Sequence, residues 1–156
     1  MIEIKKLDKR AIIPEYATVD SAGVDLTACM DKPVEIPPMR TAMIHTGLAI
    51  NMDLEQMHMM AVILPRSGKG SKEGKVLGNL VGVIDQDYHG ELMVCLWNRN
   101  AENYVTIEPG ERFAQLIFVP IFKAQFEEVV EFTSQTSRGV GGFGRSEEHT
   151  SELQSH

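Results

Sequence analysis

"KVLGNLVGVIDQDYHGELMVCLWN", residues 75–98, sets two apolar runs on either side of a short polar insert. Valine, isoleucine and leucine dominate the runs, and no helical period is sustained through them. Glycine, asparagine and aspartate interrupt them, as strand ends require. The stretch therefore reads as strands joined through a hairpin bend, part of an all-β domain. The bend carries Asp85, Asp87 and Tyr88. Turn chemistry alone accounts for each of these residues singly, so the rest of the chain must decide whether they also do chemistry.

The same pattern extends in both directions. "EIKKL", "GVDLTACM", "VEIPP", "TAMIHTGLAI" and "MHMMAVILP" precede the stretch, while "YVTIEPG", "RFAQLIFVPI" and "FEEVVEF" follow it. Short extended segments separated by glycine and proline predict a β-sandwich or barrel. Only "SGKGSKEG" predicts a short helical turn. With 156 residues, 43% of them hydrophobic, the chain can bury the core of one compact domain.

The formal charge of −7, with no lysine-rich block, argues against a surface that tracks a nucleic-acid backbone. No run approaches the length of a membrane span, and "MIEIKKLDKR" has no apolar signal core, so a cytoplasmic protein is expected. Cys29 and Cys95 lie far apart inside apolar runs, which predicts buried free thiols in a reducing compartment.

Composition changes after residue 132. The β domain is expected over 1–132, and "TSQTSRGVGGFG", residues 133–144, reads as a mobile glycine-rich arm. Residues 145–156, "RSEEHTSELQSH", have too few apolar groups to bury anything. This run reads as a non-native tail, because it matches the in-frame translation of a sequencing-library adapter.

Two motif matches fail on context. "GVGGFG" at 139–144 fits a dinucleotide fingerprint, but nothing helical follows it. "GKGSKEGK" lacks the spacing of a Walker loop, and Val76 stands where a hydroxyl should bind magnesium. The histidines show no ligand spacing, and Ser67 has no histidine nearby in sequence to activate it.

What remains is a set of polar residues at strand ends: Asp25, Arg66, Ser67, Asn79, Asp85, Tyr88, Gln115 and Arg138. Taken singly they are turn residues, a helix cap, an edge amide and a solvated charge. Taken together with flanking glycines they suggest a cradle for a triphosphate. An acid beside such a cradle would hold metal-bound water or activate an attacking one, and a tyrosine would stack on a sugar. Nucleotide hydrolysis is the chemistry this set suggests.

In order and spacing, "AGVDLTA", "PRSGKG", "GNLVGVIDQDYHGE", "ERFAQLIF" and "RGVGGFG" resemble the five motifs of the homotrimeric deoxyuridine triphosphatases, the dUTPases. The resemblance covers nearly everything from "IKKL" to "GGFG". It implies a jelly-roll β domain, a homotrimer with shared active sites, and conversion of dUTP and water to dUMP and pyrophosphate. By the same resemblance Asp85 is the general base for water attacking the α-phosphorus. Tyr88 packs on deoxyribose to exclude a 2′-hydroxyl, and Asp87 serves the turn.

Asn79 and main-chain groups of the hairpin would receive uracil. Arg66, Ser67 and Gly68 would hold the phosphates, with Gln115 adding a donor from a neighbouring chain. Mg2+ would bridge the phosphates, with Asp25 acting through water. Arg138 would pair with the γ-phosphate and Phe143 would stack on uracil as the arm closes. The chain departs from the family after "GGFG", where Ser146 is offset and Glu147 and Glu148 bring negative charge towards a polyanion. A dCTP deaminase is the nearest rival, and a non-hydrolytic nucleotide-binding protein is the rival of another class. "GVIDQDYHG" with "RGVGGFG" fits the hydrolase better.

Overall fold

The computed structural model describes residues 1–53 and 56–142. Two compact units divide the chain, Met1–Lys123 and Ala124–His156. In the first, the elements run β1 (Glu3–Lys6), β2 (Val24–Thr27), β3 (Val34–Ile36), β4 (Thr41–His45), β5 (Leu48–Asn51) and β6 (Met59–Pro65). They continue with α1 (Ser67–Glu73), β7 (Lys75–Leu77), β8 (Gly82–Ile84), β9 (Met93–Asn98), β10 (Val105–Ile107) and β11 (Arg112–Pro120).

Every pairing is antiparallel. The sheets are ordered β2-β11-β6-β8 and β4-β9-β7, with the pairs β1-β5 and β3-β10. Alternation along the strands sends one set of side chains inward. In β9, for example, Val94, Leu96 and Asn98 are buried while Met93 is exposed. Leu26, Ile63 and Leu116 from the four-stranded sheet join Ile44, Leu77 and Leu96 from the three-stranded one in a single core. Ile36, Ile107 and Phe113 complete it, all fully buried. Each such side chain stabilises the fold by about 1.5–3 kcal/mol before entropy is counted. The domain is all-β, with its sheets wrapped on one core as in a jelly roll.

Among the described residues every buried side-chain polar atom has a hydrogen-bond partner. Asn98, 0% exposed, donates from Nδ2 to the carbonyls of Ile36 and Asn103 at 2.9 and 2.8 Å. Its Oδ1 accepts from the backbone N–H and Nδ2 of Asn100 at 3.0 and 2.8 Å. One side chain thereby ties β9 to β3 and to the loop before β10.

The structure corrects three sequence expectations about strands and burial. Residues 75–98 do not form a hairpin: β7 pairs with β9, and β8 pairs with β6 in the other sheet. Residues 78–81 are therefore a crossing between sheets, turning through Leu80 at φ 66°. "FEEVVEF" forms no strand. Phe126, Val130 and Phe132 are 96, 102 and 86% exposed, so the apolar alternation finds no sheet to cover it. Cys29 and Cys95 are free, as expected, but only half-buried.

In the second unit the described residues, 124–142, contain no strand or helix. Local bonds shape a turn there: Gly139 N–H donates to the Thr136 carbonyl at 3.1 Å, and Arg138 Nε donates to the Gly141 carbonyl at 2.7 Å. Phe143 and the tail 145–156 lie outside the described residues.

Candidate active site

Strand register builds the first half of the site. In the four-stranded sheet Gln115 of β11 faces Asp25 of β2 on one side and Leu64 of β6 on the other. Strand β6 ends at Pro65, and the chain passes through Arg66 into α1. Asp25, Arg66, Ser67, Gly68 and Gln115 consequently line one hollow of about 410 Å³, together with Lys69, Lys72 and Glu73. Gln115 reaches this hollow from the same chain as Arg66, so the expectation that a neighbouring chain supplies it is corrected. β11 lies between β2 and β6, which carries Gln115 alongside Asp25 and Pro65.

The polar groups hold one another in place. Arg66 Nε lies 2.8 Å from Asp25 Oδ1, and its Nη1 donates to the Arg112 carbonyl at 3.2 Å. Arg112 Nη1 is 3.5 Å from Asp25 Oδ2. The guanidinium of Arg66 is thus oriented with N–H groups to spare. Gln115 Nε2 donates to the Pro65 carbonyl at 2.9 Å, which leaves its second N–H without an acceptor among the described residues.

Ser67 is not the helix cap. The N-cap is Arg66, which makes no side-chain capping bond, and Ser67 is the first helical residue. The Ser67 hydroxyl has no hydrogen-bond partner among the described residues. The first intrahelical bond runs from Gly70 N–H to the Arg66 carbonyl at 2.8 Å, so the N–H groups of Ser67, Gly68 and Lys69 have no acceptor within the helix. At Gly68 a Cβ would meet nothing within 4 Å, leaving open approach to the main chain.

Sequence reading missed the ionic support beneath this hollow. Lys75 is 5% exposed, and its Nζ lies 2.7 Å from Glu73 Oε2 and 3.1 Å from Glu111 Oε2. Lys69 Nζ adds contacts of 3.0 Å to Glu73 and 3.6 Å to Glu111. Burial pushes the Lys75 ammonium down, but Glu73 and Glu111 outweigh it and leave its pKa raised. Lys75 above all, with Lys69, holds the Glu73 carboxyl below its usual range. Lys72 faces the hollow with no carboxylate partner among the described residues. The glycine-lysine spacing that imitates a phosphate loop thus encodes a charged brace.

The second half of the site lies apart. Asp85 and Asp87 line a hollow of about 660 Å³ that also includes Asp53, His58 and Lys123, and it shares no residue with the first. The turn that carries them closes with Tyr88 N–H donating to the Asp85 carbonyl at 3.1 Å. Asp85 is exposed, and its carboxylate has no hydrogen-bond or ionic partner among the described residues.

The Tyr88 hydroxyl donates to the Glu91 carbonyl at 2.9 Å, and the ring lies across Gly90. A Cβ at Gly90 would come within 2.5 Å of the hydroxyl oxygen, so any side chain there would push the ring from this position. Asn79, exposed on the crossing 78–81, has an uncommitted amide among the described residues. Around it Leu80, Val81 and Val83 are 66, 44 and 57% exposed, an apolar strip uncovered in the single chain. Arg138 belongs to the second unit and is exposed there.

Residues 9–147 match the family model described as dUTPase. A Coxiella burnetii protein named deoxyuridine 5'-triphosphate nucleotidohydrolase is 56% identical over 149 residues, spanning 93% of this chain and 95% of its own length. A Cronobacter sakazakii protein of the same name is 54% identical with the same coverage. Among solved structures, a G164S variant of the Staphylococcus bacteriophage 80alpha dUTPase with dUpNHpp superposes with a TM-score of 0.81. It is 29% identical, covering 94% of this chain and 98% of that one.

Proposed function

The chain belongs to the dUTPase family, and from that premise we propose how its own residues carry the hydrolysis of dUTP. Membership makes it a dUTP diphosphatase, with dUMP and pyrophosphate as products. The observation that carries the residue assignment is the hollow in which Asp25, Arg66, Ser67, Gly68 and Gln115 converge. A guanidinium fixed at 2.8 Å by Asp25, a free hydroxyl and open main-chain N–H groups make a set of donors suited to phosphate oxygens.

Asp85 is the general base. A water oxygen attacks the α-phosphorus while its proton passes to the Asp85 carboxylate, the bond from the α-phosphorus to the bridging oxygen breaks, and pyrophosphate leaves. The carboxylate is suited to this by its exposure and its lack of any competing partner among the described residues. Tyr88, with its hydroxyl committed to Glu91, offers a ring face to deoxyribose. Asn79 meets uracil with its uncommitted amide, Arg138 pairs with the γ-phosphate and Phe143 stacks on the base.

Among the described residues no three His, Cys, Asp or Glu side chains group into a metal cage. Asp25, whose two oxygens already face Arg66 and Arg112, fits Mg2+ as an outer ligand and would hold it through water. When bound, the metal neutralises charge on the departing pyrophosphate.

Three copies form the enzyme, each site drawing on more than one of them. Support comes from the separation of the Asp85 hollow from the phosphate hollow within one chain, and from the uncovered strip at Leu80, Val81 and Val83. The test is pyrophosphate release from dUTP, with dCTP and ammonia release as the control, combined with sedimentation of the free protein. Release from dUTP by a species of three chains is expected. Ammonia from dCTP, or full turnover by a monomer, would overturn the assignment.

A further inference from the structure

We propose that the Glu91 carboxylate positions Tyr88 and thereby sets the preference for deoxyribose over ribose; this rests on the reading of Tyr88 given above. Glu91 lies outside the reaction chemistry, yet its half-buried carboxylate is fully engaged. Oε1 accepts the Gly47 N–H at 3.0 Å, and both oxygens lie 3.1 Å from His45 Nδ1.

Gly47 is a rigid post. Its φ is +67°, and a Cβ there would stand 3.0 Å from both Ala11 Cβ and Cys29 Sγ. Its carbonyl accepts Leu7 N–H at 2.7 Å. Glu91 thus ties the segment after Tyr88 to the turn between β4 and β5.

The peptide unit joining Glu91 to Leu92 carries this constraint to the ring. Its N–H, on Leu92, donates to the Leu48 carbonyl at 2.8 Å, while its carbonyl, on Glu91, accepts the Tyr88 hydroxyl at 2.9 Å. One peptide plane is therefore bound to the core on one edge and to the ring on the other. The carboxylate fixes the same residue from its side chain. The ring lies over Gly90, and its withdrawal breaks the bond to the Glu91 carbonyl. A sugar carrying a 2′-hydroxyl must displace the ring, and the Glu91 anchor opposes that displacement.

The experiment measures kcat/KM for dUTP and for UTP by pyrophosphate release, using the full chain with Glu91→Ala, Glu91→Gln and Tyr88→Phe. Both substrates meet the same enzyme, so their ratio is indifferent to any loss of folded protein. Glu91→Ala is expected to lower the dUTP-over-UTP ratio by about tenfold. Glu91→Gln, which keeps an acceptor for Gly47 N–H, should hold the ratio within about threefold of the parent, and Glu91→Ala should add little in the Tyr88→Phe background.

A Glu91→Ala ratio equal to that of the parent enzyme would overturn the proposal, as would full additivity with Tyr88→Phe. Where turnover is too slow to follow, the ratio of Kd values for dUMP and UMP from calorimetry decides in the same way. Failure of the parent enzyme to release pyrophosphate from dUTP would instead overturn the functional assignment itself.

Discussion

Replacing Lys75 with methionine tests whether the ionic brace under α1 stabilises the domain. Methionine keeps most of the volume, so the cavity contribution is small and the electrostatic effect dominates. The variant leaves Glu73 Oε2 and Glu111 Oε2 without the ammonium that stands 2.7 and 3.1 Å from them. Removing one member of a buried ionic group costs about 3–5 kcal/mol when the charge left behind is stranded. Here Lys69 remains within 3.0 Å of Glu73 and 3.6 Å of Glu111, and the Glu73 side chain is 40% exposed. A loss of about 2 kcal/mol is therefore expected.

At about 2–4 °C per kcal/mol for a domain of this size, Tm should fall by about 4–8 °C at fixed protein concentration. The pH dependence carries the diagnosis. Because Lys75, and secondarily Lys69, holds the Glu73 carboxyl below its unfolded value, its contribution is present above about pH 4.3 and is lost as pH falls through the depressed folded value. Thermal unfolding followed by circular dichroism should show the full gap between Lys75→Met and the parent near pH 7, and a smaller one below about pH 4. A Tm unchanged to within about 1 °C, or a gap independent of pH, would refute the reasoning.

Asp85→Asn should reduce pyrophosphate release by about a thousandfold while calorimetry still detects nucleotide binding, and unchanged turnover would remove Asp85 from the reaction. Chelation of divalent metal should abolish most turnover, with Mg2+ restoring it; activity indifferent to chelator would remove Asp25 from metal binding. Gly47→Ala places a methyl 3.0 Å from Ala11 Cβ and Cys29 Sγ at φ +67°, and urea unfolding should show a loss of about 1–3 kcal/mol.

Local pattern made much of the fold legible. Nine of the ten segments read as extended contain strands, because alternation of apolar side chains is a property of neighbours in sequence. "FEEVVEF" carries the same alternation and forms none, since a strand also needs a partner and no property of those seven residues supplies one. "KVLGNLVGVID" gave the right strands and the wrong connection: β7 and β8 choose β9 and β6 as partners across the fold. The thiols of Cys29 and Cys95 sat in apolar runs yet are only half-buried, because burial depends on what packs above each run.

By itself the sequence supplied the candidate residues: an acid at the bend, an arginine ahead of a short helix and a serine opening it, an amide on a long strand. Residue type and spacing are local, and the resemblance to the family's motifs rests on them. Tertiary structure alone decided which of them meet, setting Gln115 beside Asp25 and Arg66 while leaving Asp85 in a separate hollow. It also turned Lys75 and Glu91 into anchors. Hydrogen bonds and ion pairs between residues distant in sequence are fixed by strand register, and register is settled by the packing of the whole core.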